Sequence, residues 1–421
     1  MAAPVPSFAA LVKAFWRIGW LSFGGPAGQI ALMHREIVEE RGWVAEDEYL
    51  EALNLCHLLP GPEAQQLATW IGWRLHGVRG GVAAGMLFVL PGAAVMLALS
   101  LLYVLAANLA WFEALFVGVK AAVLAIVVQA LVRIGGRALG TPLRWAMAIV
   151  AFLGLAAFDL PFPLVVLGAL ALGMAVGSTR PHWLGLKPTG SAPQGPKPWG
   201  ISLRAVATWG MIWVSPLGVI LATLGPDHML WDVGLFFSKL AVVTFGGAYA
   251  VLAYMAQQAV DTYGWLGPGE MADGLGLAET TPGPLIMVTQ FTGFLAGWRM
   301  PEPFAPLVAG ILAAGLTTWV TFAPCFLWIF ALAPWMERMK SAPRLRAGLA
   351  AVTAAVVGVI ASLALWFGLH VLFPAGQSGF PLDWRATALT AIALALTFGA
   401  QWSVLRVLAV CAAGGLALML V

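Results

Sequence analysis

Two stretches of this chain repeat each other without a gap, and each carries helix-breaking residues inside apolar sequence. Residues 15–62 align with residues 237–284 at a constant offset of 222, and 15 of the 48 aligned positions are identical. The identities include two blocks: SFGG at 22–25 matches TFGG at 244–247, and PGP at 60–62 matches PGP at 282–284. Matched breaks in the two halves of an apolar chain are typical of secondary transporters.

Composition places these repeats in a membrane. Of the 421 residues, 61% are hydrophobic and only 10% are charged. The apolar runs repeatedly exceed the roughly 18 residues that indicate a membrane-spanning helix. They do not alternate in polarity as the strands of an outer-membrane barrel do. We therefore predict an all-α polytopic integral membrane protein whose surroundings are a lipid bilayer.

The sequence gives little support for an enzyme or a metalloprotein. The three cysteines, Cys56, Cys325 and Cys411, are scattered and form neither a metal-ligand spacing nor a disulfide framework. No nucleophile and base stand out as a set, and the absence of a GxxxxGKS/T loop disfavours an ATP-driven pump. We expect no cofactor, no metal and no nucleic-acid partner, and a homodimer is compatible with the sequence.

The apolar segments divide the chain into two homologous halves of six segments each, with one segment between them. Segments 145–158 and 386–399 are short for a full span, and each is compatible with a shallow hairpin formed with its neighbour. We predict a first transporter repeat at 1–179, a Pro- and Gly-rich cytoplasmic linker at 180–204, a connecting segment at 205–224 and a second repeat at 232–421. The thirteen predicted transmembrane segments are 10–33, 52–76, 80–107, 112–132, 145–158, 161–178, 205–224, 232–256, 272–297, 303–333, 347–371, 386–399 and 401–421.

Lysine and arginine are distributed unevenly between the two sides of these segments. With a cytoplasmic N-terminus, 15 of the 22 lysines and arginines lie inside, 4 lie outside and 3 lie within segments, as the positive-inside rule requires. An odd number of segments then separates the starts of the two repeats, so the halves are inverted and the C-terminus lies outside. On this topology residues 34–50 lie outside, whereas residue 78 and residues 260–270 lie inside.

The PGP blocks interrupt any helix that contains them. Proline removes a backbone donor, and Gly61 or Gly283 tolerates dihedral angles that other residues avoid. Because proline suits the first turn of a helix, we expect half-helices at 62–76 and 284–297. Their unpaired N–H groups and positive dipole ends would lie at membrane depth, which suits an anion. A simple packing kink is the alternative.

The glycine blocks allow two interpretations as well. The paired glycines of SFGG and TFGG permit unwinding, with the hydroxyl of Ser22 or Thr244 as a hydrogen-bond donor, or they permit close helix packing. Together with their neighbours, the two kinds of block give the predicted substrate-binding residues. These are Arg17, Ser22, Phe23, Gly24, Gly25, Pro60, Gly61, Pro62, Gln66, Lys239, Thr244, Phe245, Gly246, Gly247, Thr280, Thr281, Pro282, Gly283, Pro284 and Gln290.

Arg17 and Lys239 occupy matched positions, five residues before Ser22 and Thr244. Charges within membrane segments usually face a cavity, so two cations related by a pseudo-twofold axis would hold a dianion from both sides. The alternatives are snorkelling to the headgroups or an ion pair with a nearby glutamate. Lys120 has no charged counterpart in the second half, and either a functional role or a structural pair suits it.

Three titratable residues flank the PGP blocks. His57 and Glu279 are at matched positions, and Glu63 follows the first block directly. We expect these residues to be candidates for proton coupling, since ionisable groups in membrane segments form proton relays. For Glu63 and Glu279, the alternative is a structural ion pair with Arg17 or Lys239. Thr280 or Thr281 would cap the second half-helix.

At these blocks the chain resembles the chromate ion transporter family in its long, two-domain form. The most specific matches are HLLPGPEAQQLATWIGW at 57–73 and LAETTPGPLIMVTQFTGF at 277–294, and the resemblance extends over nearly the whole chain. The resemblance implies a bacterial inner-membrane protein built by duplication with opposed halves. It also implies efflux of chromate powered by the proton motive force, and so chromate resistance.

Chromate and sulfate share shape and charge, so the motifs do not separate them. Two alternatives to chromate export therefore stay open. One is a sulfate or other tetrahedral oxyanion importer or exchanger, and the other is an anion channel on the same scaffold.

Overall fold

The computed structural model describes residues 5–106, 109–186, 197–245, 248–340, 342–373 and 382–419, and in these ranges the chain is helical without a strand. The helices of the first half are α1 (Phe8–Leu21), α2 (Gly25–His34), α3 (Glu46–Leu58), α4 (Glu63–Ala106), α5 (Ala110–Ala138), α6 (Pro142–Ala156) and α7 (Phe162–Thr179). The connecting helix is α8 (Trp199–Thr223). Those of the second half are α9 (Met229–Val243), α10 (Ala248–Gln257), α11 (Pro268–Thr280), α12 (Val288–Arg299), α13 (Pro306–Leu332), α14 (Met336–Lys340), α15 (Pro343–Leu372), α16 (Trp384–Leu394) and α17 (Val404–Leu418).

Six of the described helices, α4, α5, α7, α8, α13 and α15, are long and apolar enough to cross a membrane. The thirteen predicted segments are therefore not thirteen continuous helices. Segment 10–33 is divided between α1 and α2, and segment 272–297 is divided between α11 and α12. In each case the division falls at a Gly- or Pro-containing block, where local geometry overrides the apolar run. The connecting helix α8 begins at Trp199, earlier than the predicted 205.

The two halves have matching helix boundaries. Shifted by the repeat offset of 222, α3 covers the same residues as α11, and α1 matches α9 to within one residue. A π-helical turn follows both α2 and α10, at Arg35–Glu39 and Gln258–Thr262. Since only 15 of the 48 aligned residues are identical, the shared Gly and Pro positions rather than overall identity set these boundaries.

The PGP blocks are the turning points of two re-entrant hairpins. His76 and Gly77 interrupt α4 and leave a first segment at 63–75 and a second segment at 78–106. Arg74, at the end of the first segment, forms an ion pair with Glu48 at the start of α3. In the second half, Arg299 at the end of α12 pairs with Glu270 near the start of α11 at 2.5 Å. Each hairpin therefore runs inward, turns at PGP and returns to the end of the bundle where it began.

Glu48 and Glu270 are equivalent positions of the repeat, but their hairpins begin at opposite ends of the second segment of α4. At one end, the Phe8 ring lies 5.7 Å from the ring of His76, next to Arg74. At the other end, the Tyr103 hydroxyl donates to Asp273 of α11 at 2.8 Å. The second segment of α4 has the length of a full membrane span, at about 1.5 Å per residue.

These contacts correct two expectations about topology. Residues 34–50 lie at the same end of the bundle as residue 78, because Glu48 contacts Arg74. The start of α11, within 260–270, lies at the other end beside Tyr103, and not at the end of residue 78. The expected topology counted 10–33 and 52–76 as crossings, whereas each is a pair of short helices that turns back.

Small residues bring the longer helices into backbone contact around these hairpins. A Cβ atom on Gly118 of α5 would lie 1.8 Å from the carbonyl oxygen of Cys411 on α17, and one on Gly358 of α15 would lie 2.0 Å from that of Ala148 on α6. Such close approach is the usual basis of helix association in membranes, where apolar burial gives little net driving force.

The re-entrant arrangement predicts which residues share a side of the membrane. Single cysteines replacing the exposed residues Ala45 and Val78 should react with a membrane-impermeant maleimide from one side. Cysteines replacing Leu109 and Thr262, also exposed, should react from the other side. The native cysteines are buried and provide a low background. Labelling of positions 45 and 78 from opposite sides would contradict the re-entrant arrangement and support the thirteen-span topology.

Candidate functional site

The helix breaks of the two halves are joined by a reciprocal pair of backbone hydrogen bonds. The N–H of Gly61 donates to the carbonyl of Thr244 at 2.8 Å, and the N–H of Gly283 donates to the carbonyl of Ser22 at 2.8 Å. Gly61 is the repeat equivalent of Gly283, and Ser22 that of Thr244. Exchange of the halves therefore maps one bond onto the other, as at an isologous contact between subunits.

Both PGP turns use backbone angles that favour glycine. Gly61 has φ +112° and Gly283 has φ +90°. There is also little room for a side chain, because a Cβ on Gly61 would lie 3.0 Å from the Cys325 sulfur of α13, and one on Gly283 would lie 3.3 Å from Gly92 of α4. Each turn thus packs against a long helix of the opposite half.

A half-helix starts after each PGP turn, and the two starts border one small cavity. In the first half α4 begins at Glu63, and in the second a short 3₁₀ turn at Leu285–Met287 leads into α12. The cavity has a volume of about 10 Å³, enough for one water molecule. The lining residues are Pro26, Gln29, Pro62, Glu63, Ala64, Thr244, Pro284, Leu285 and Ile286. Three pairs among them are repeat equivalents, so the cavity follows the pseudosymmetry of the halves.

Two buried glutamines donate hydrogen bonds to backbone carbonyl groups of the turns. The Gln29 side-chain amide donates to the carbonyl of Gly283 at 2.5 Å, and that of Gln66 donates to the carbonyl of Pro60 at 2.6 Å. Both side chains are fully buried, and their Oε1 atoms have no hydrogen-bond partner among the described residues. These carbonyls therefore already accept hydrogen bonds. The backbone groups of the turns that stay free beside the cavity are the N–H groups at the helix N-termini.

Glu63 brings a carboxylate to the same cavity. Its side chain is only 9% exposed, and its Oε1 lies 3.7 Å from Nδ1 of His57, whose side chain is 50% exposed. A carboxylate at the first position of a helix is favoured by the helix dipole. When Glu63 is ionised, its negative charge therefore lies beside the helix N-terminus, where an anionic substrate would bind. Its equivalent in the second half, Leu285, is apolar.

The hydroxyl groups expected to be donors to a substrate are engaged within their own helices. Ser22 donates to the carbonyl of Ile18 at 2.7 Å, and Thr244 donates to that of Leu240 at 2.5 Å. Thr280 and Thr281 donate to carbonyl groups at the end of α11 and do not cap the helix that follows. In this conformation the backbone, rather than these hydroxyls, supplies the free donors near the cavity.

The two matched cations lie away from the cavity. Arg17 is 58% exposed, and its guanidinium lies 3.5 Å from the buried carboxylate of Glu36, which also pairs with Arg41 at 2.5 Å. Lys239 is exposed at the surface of α9. The partner of Arg17 is thus a glutamate that the sequence did not single out, rather than Glu63 or Glu279.

The remaining predicted residues are dispersed around the breaks. Glu279 is buried and accepts a hydrogen bond from the Tyr249 hydroxyl at 2.6 Å. Gln290 donates to the carbonyl of Ala93 at 2.9 Å and borders a separate, largely apolar cavity of about 620 Å³ between α4, α8 and α13. Phe23 and Gly24 are exposed, and Gly25 and Phe245 are partly buried. Gly246 and Gly247 lie outside the described residues.

Two polar residues near functional positions were missed by sequence reasoning. Gln29 follows the first glycine block, but its repeat equivalent is Val251, so the comparison of halves gave no signal for it. Asp273 lies in α11 and contacts Lys120, 153 positions away (273 minus 120), with 3.5 Å between Nζ and Oδ1. Within the described ranges, no three His, Cys, Asp or Glu side chains come together as metal ligands would.

Comparisons with known proteins agree on one family. A family model described as "Chromate transporter" matches residues 9–174 and 231–418, which cover both halves. The chain is 30% identical over 399 residues to a chromate transport protein of Cupriavidus metallidurans, covering 94% of this chain and 90% of the relative. It is 32% identical over 369 residues to a chromate transport protein of Pseudomonas aeruginosa, covering 85% and 81%. A probable chromate transport protein of Synechococcus elongatus is 30% identical over 370 residues, covering 88% and 86%. No solved structure matches the chain.

The geometry of the turns predicts a specific loss of stability. Gly61→Ala and Gly283→Ala should each destabilise the protein by about 1–2 kcal/mol, the usual penalty for a side chain in left-handed backbone. Gly136→Ala is the matched control, because this exposed helical glycine has no atom within 4 Å of an added Cβ. Thermal unfolding in detergent would measure the difference. Turn variants as stable as the control would contradict the described turn geometry.

Proposed function

This chain belongs to the chromate transporter family, and on that premise we propose that it is a secondary transporter that exports chromate from a bacterial cytoplasm. The observation that carries the proposal is the small cavity bordered by two helix N-termini, one from each half. Helix N-termini bind anions because their first N–H groups are unpaired and the helix dipole is positive there. Two of them facing one space suit a tetrahedral dianion better than one would.

The proposed site is closed in the present conformation. A cavity of about 10 Å³ accommodates a water molecule but no oxyanion. Chromate binding therefore requires the PGP turns to separate, and each turn is held by a hydrogen bond to the other half and by contact with α4 or α13. Opening toward one side and then the other would give alternating access.

We propose that the halves are inverted relative to each other across the membrane. The support is that the ion pairs Glu48–Arg74 and Glu270–Arg299, each of which closes the hairpin of its own half, lie at opposite ends of the second segment of α4. Inverted halves can exchange conformations, which supplies two related states with the site facing opposite sides. The N-terminus would then be cytoplasmic and the C-terminus external.

Charge favours export as the direction of transport. Moving a dianion out of a negative cytoplasm is favourable by about 2.3 kcal/mol per charge per 100 mV. Uptake against this potential would require cotransported cations. Export is therefore the direction that needs the least coupling.

Glu63 is proposed to act as an internal competitor of the substrate. Its carboxylate lines the cavity, and two negative groups in a space of low polarity repel each other strongly. Chromate binding then requires Glu63 to move away or to take up a proton, and the half-exposed His57 beside it provides a route for that proton. Direct contact of Arg17 or Lys239 with the anion stays a prediction, because both side chains are at the surface in this conformation.

Transport of labelled oxyanions by proteoliposomes tests the proposed function. With the membrane potential and pH gradient set independently, chromate should move toward the positive compartment, and unlabelled chromate should compete more strongly than sulfate. Faster movement of sulfate would favour an oxyanion exchanger of different specificity. Movement that never saturates with chromate concentration would favour a channel.

Two matched variants test the role of Glu63. Glu63→Gln should strengthen chromate binding by about tenfold, because it removes a negative charge from the site at nearly constant size. Leu285→Glu adds a carboxylate at the equivalent position and should weaken binding, whereas Leu285→Gln controls for polarity without charge. Displacement of labelled chromate would measure the affinity of each variant and of the unaltered protein. Equal affinities for the Glu63→Gln variant and the unaltered protein would exclude competition by this carboxylate.

A further inference from the structure

A buried carboxylate on α11 lies in a second polar cluster, separate from the cavity at the PGP turns. Asp273 is 4% exposed. Its Oδ2 accepts a hydrogen bond from the Tyr103 hydroxyl at 2.8 Å, and its Oδ1 lies 3.5 Å from Nζ of Lys120. Oδ1 has no hydrogen-bond partner among the described residues. The cluster joins three helices, because Tyr103 is on α4, Lys120 is on α5 and Asp273 is on α11.

The cluster forms the wall of an open cavity of about 260 Å³. The charged residues around Asp273 come from α5, α11 and α12, and α4 contributes the phenol of Tyr103. Glu113 and Lys120 are on α5, Glu270 is on α11, and Arg299 of α12 pairs with Glu270 at 2.5 Å. With all five groups ionised, three carboxylates outnumber two cations. The net negative charge disfavours an oxyanion in this cavity and attracts cations.

The side chains around Asp273 favour a proton over a metal cation. A bound sodium or calcium ion needs several oxygen ligands, and here one carboxylate and one phenol oxygen are accompanied by the ammonium group of Lys120. A proton needs only an acceptor with a free position. Oδ1 provides that position, and the half-buried Lys120 beside it lines the open cavity.

The same helix connects Asp273 to the proposed oxyanion site. α11 is a continuous helix of 13 residues that ends at Thr280, immediately before the second PGP turn. Loss of the charge on Asp273 would remove its attraction to Lys120 and so loosen α11 from α5. Movement of α11 would in turn shift the Gly283 turn, which borders the cavity for the anion.

We propose that Asp273, with Tyr103 and Lys120, is the site where the transporter takes up a proton from the end of the bundle opposite the hairpin of the first half. The opposite end of the bundle, which carries Arg74 and Arg79, is cytoplasmic by the positive-inside rule, so this end is extracellular. The step is a proton transfer from a hydronium ion in the open cavity to the carboxylate of Asp273, which leaves a water molecule, and Lys120 stays protonated throughout. This inference rests on the proposed function, because it assigns the residue that binds the coupling proton of that transporter.

A charge-neutral variant separates coupling from transport itself. In proteoliposomes, Asp273→Asn should retain exchange of labelled for unlabelled chromate, which needs no net proton movement. With a gradient of one pH unit imposed at zero potential, the chromate concentration ratio that the variant sustains should be about tenfold smaller, the effect of one coupled proton that is lost. Glu51→Gln is the matched control, since Glu51 is the exposed repeat equivalent of Asp273. A response of Asp273→Asn to the pH gradient equal to that of the control would overturn the inference.

A spectroscopic readout tests proton binding independently of chromate. Infrared difference spectra of the purified protein between acidic and basic pH should show a protonated-carboxyl band that is missing in Asp273→Asn. Tyr103→Phe removes the donated hydrogen bond and should move the midpoint of that band to higher pH by about one unit. If the unaltered protein moved no chromate but the band titrated as expected, the proton site would stand and the proposed function would fail. An identical set of bands in the unaltered protein and Asp273→Asn would refute the site.

Discussion

The two backbone hydrogen bonds between the breaks are the constraint on which the rest of the structure depends. A helix that stops inside a membrane leaves peptide groups without partners, and each such group costs several kcal/mol in an apolar environment. Here the partner of each PGP turn is the break of the other half, through Gly61 with Thr244 and Gly283 with Ser22. Neither half can satisfy its own turn alone, so the hairpins must meet at the centre. The cavity between the half-helix starts is a direct result of that meeting.

Local sequence predicts where the helices break but not which way the chain continues. Pro and Gly determine the breaks through bond rotation and missing donors, and both effects act within a few residues. Re-entry depends on contacts such as Glu48 with Arg74, which hydropathy does not register because it measures apolar length only. Helix length gives one indication of re-entry, because α1 and α3 have 14 and 13 residues and a full span needs about 20. Lys120 stood out in the sequence, but its partner Asp273 is not at the position that the repeat pairs with Lys120, so comparison of the halves did not reveal it.

The structure contains two separate electrostatic environments. At the centre, helix N-termini provide a positive potential that Glu63 occupies in the closed state. At one end, the cavity beside Asp273 carries a net negative charge and suits a cation. In the proposed mechanism, the single helix α11 connects the two and transmits a change at one environment to the other.

The position of the bound anion tests the central claim most directly. Chromium scatters X-rays anomalously, so crystals of the protein grown with chromate would locate the ion without reference to side-chain density. The account predicts one strong anomalous peak between the starts of the two half-helices, within hydrogen-bonding distance of the backbone N–H groups at 63–64 and 285–286. A principal peak beside Arg17, Lys239 or Lys120, with none between the half-helices, would contradict it.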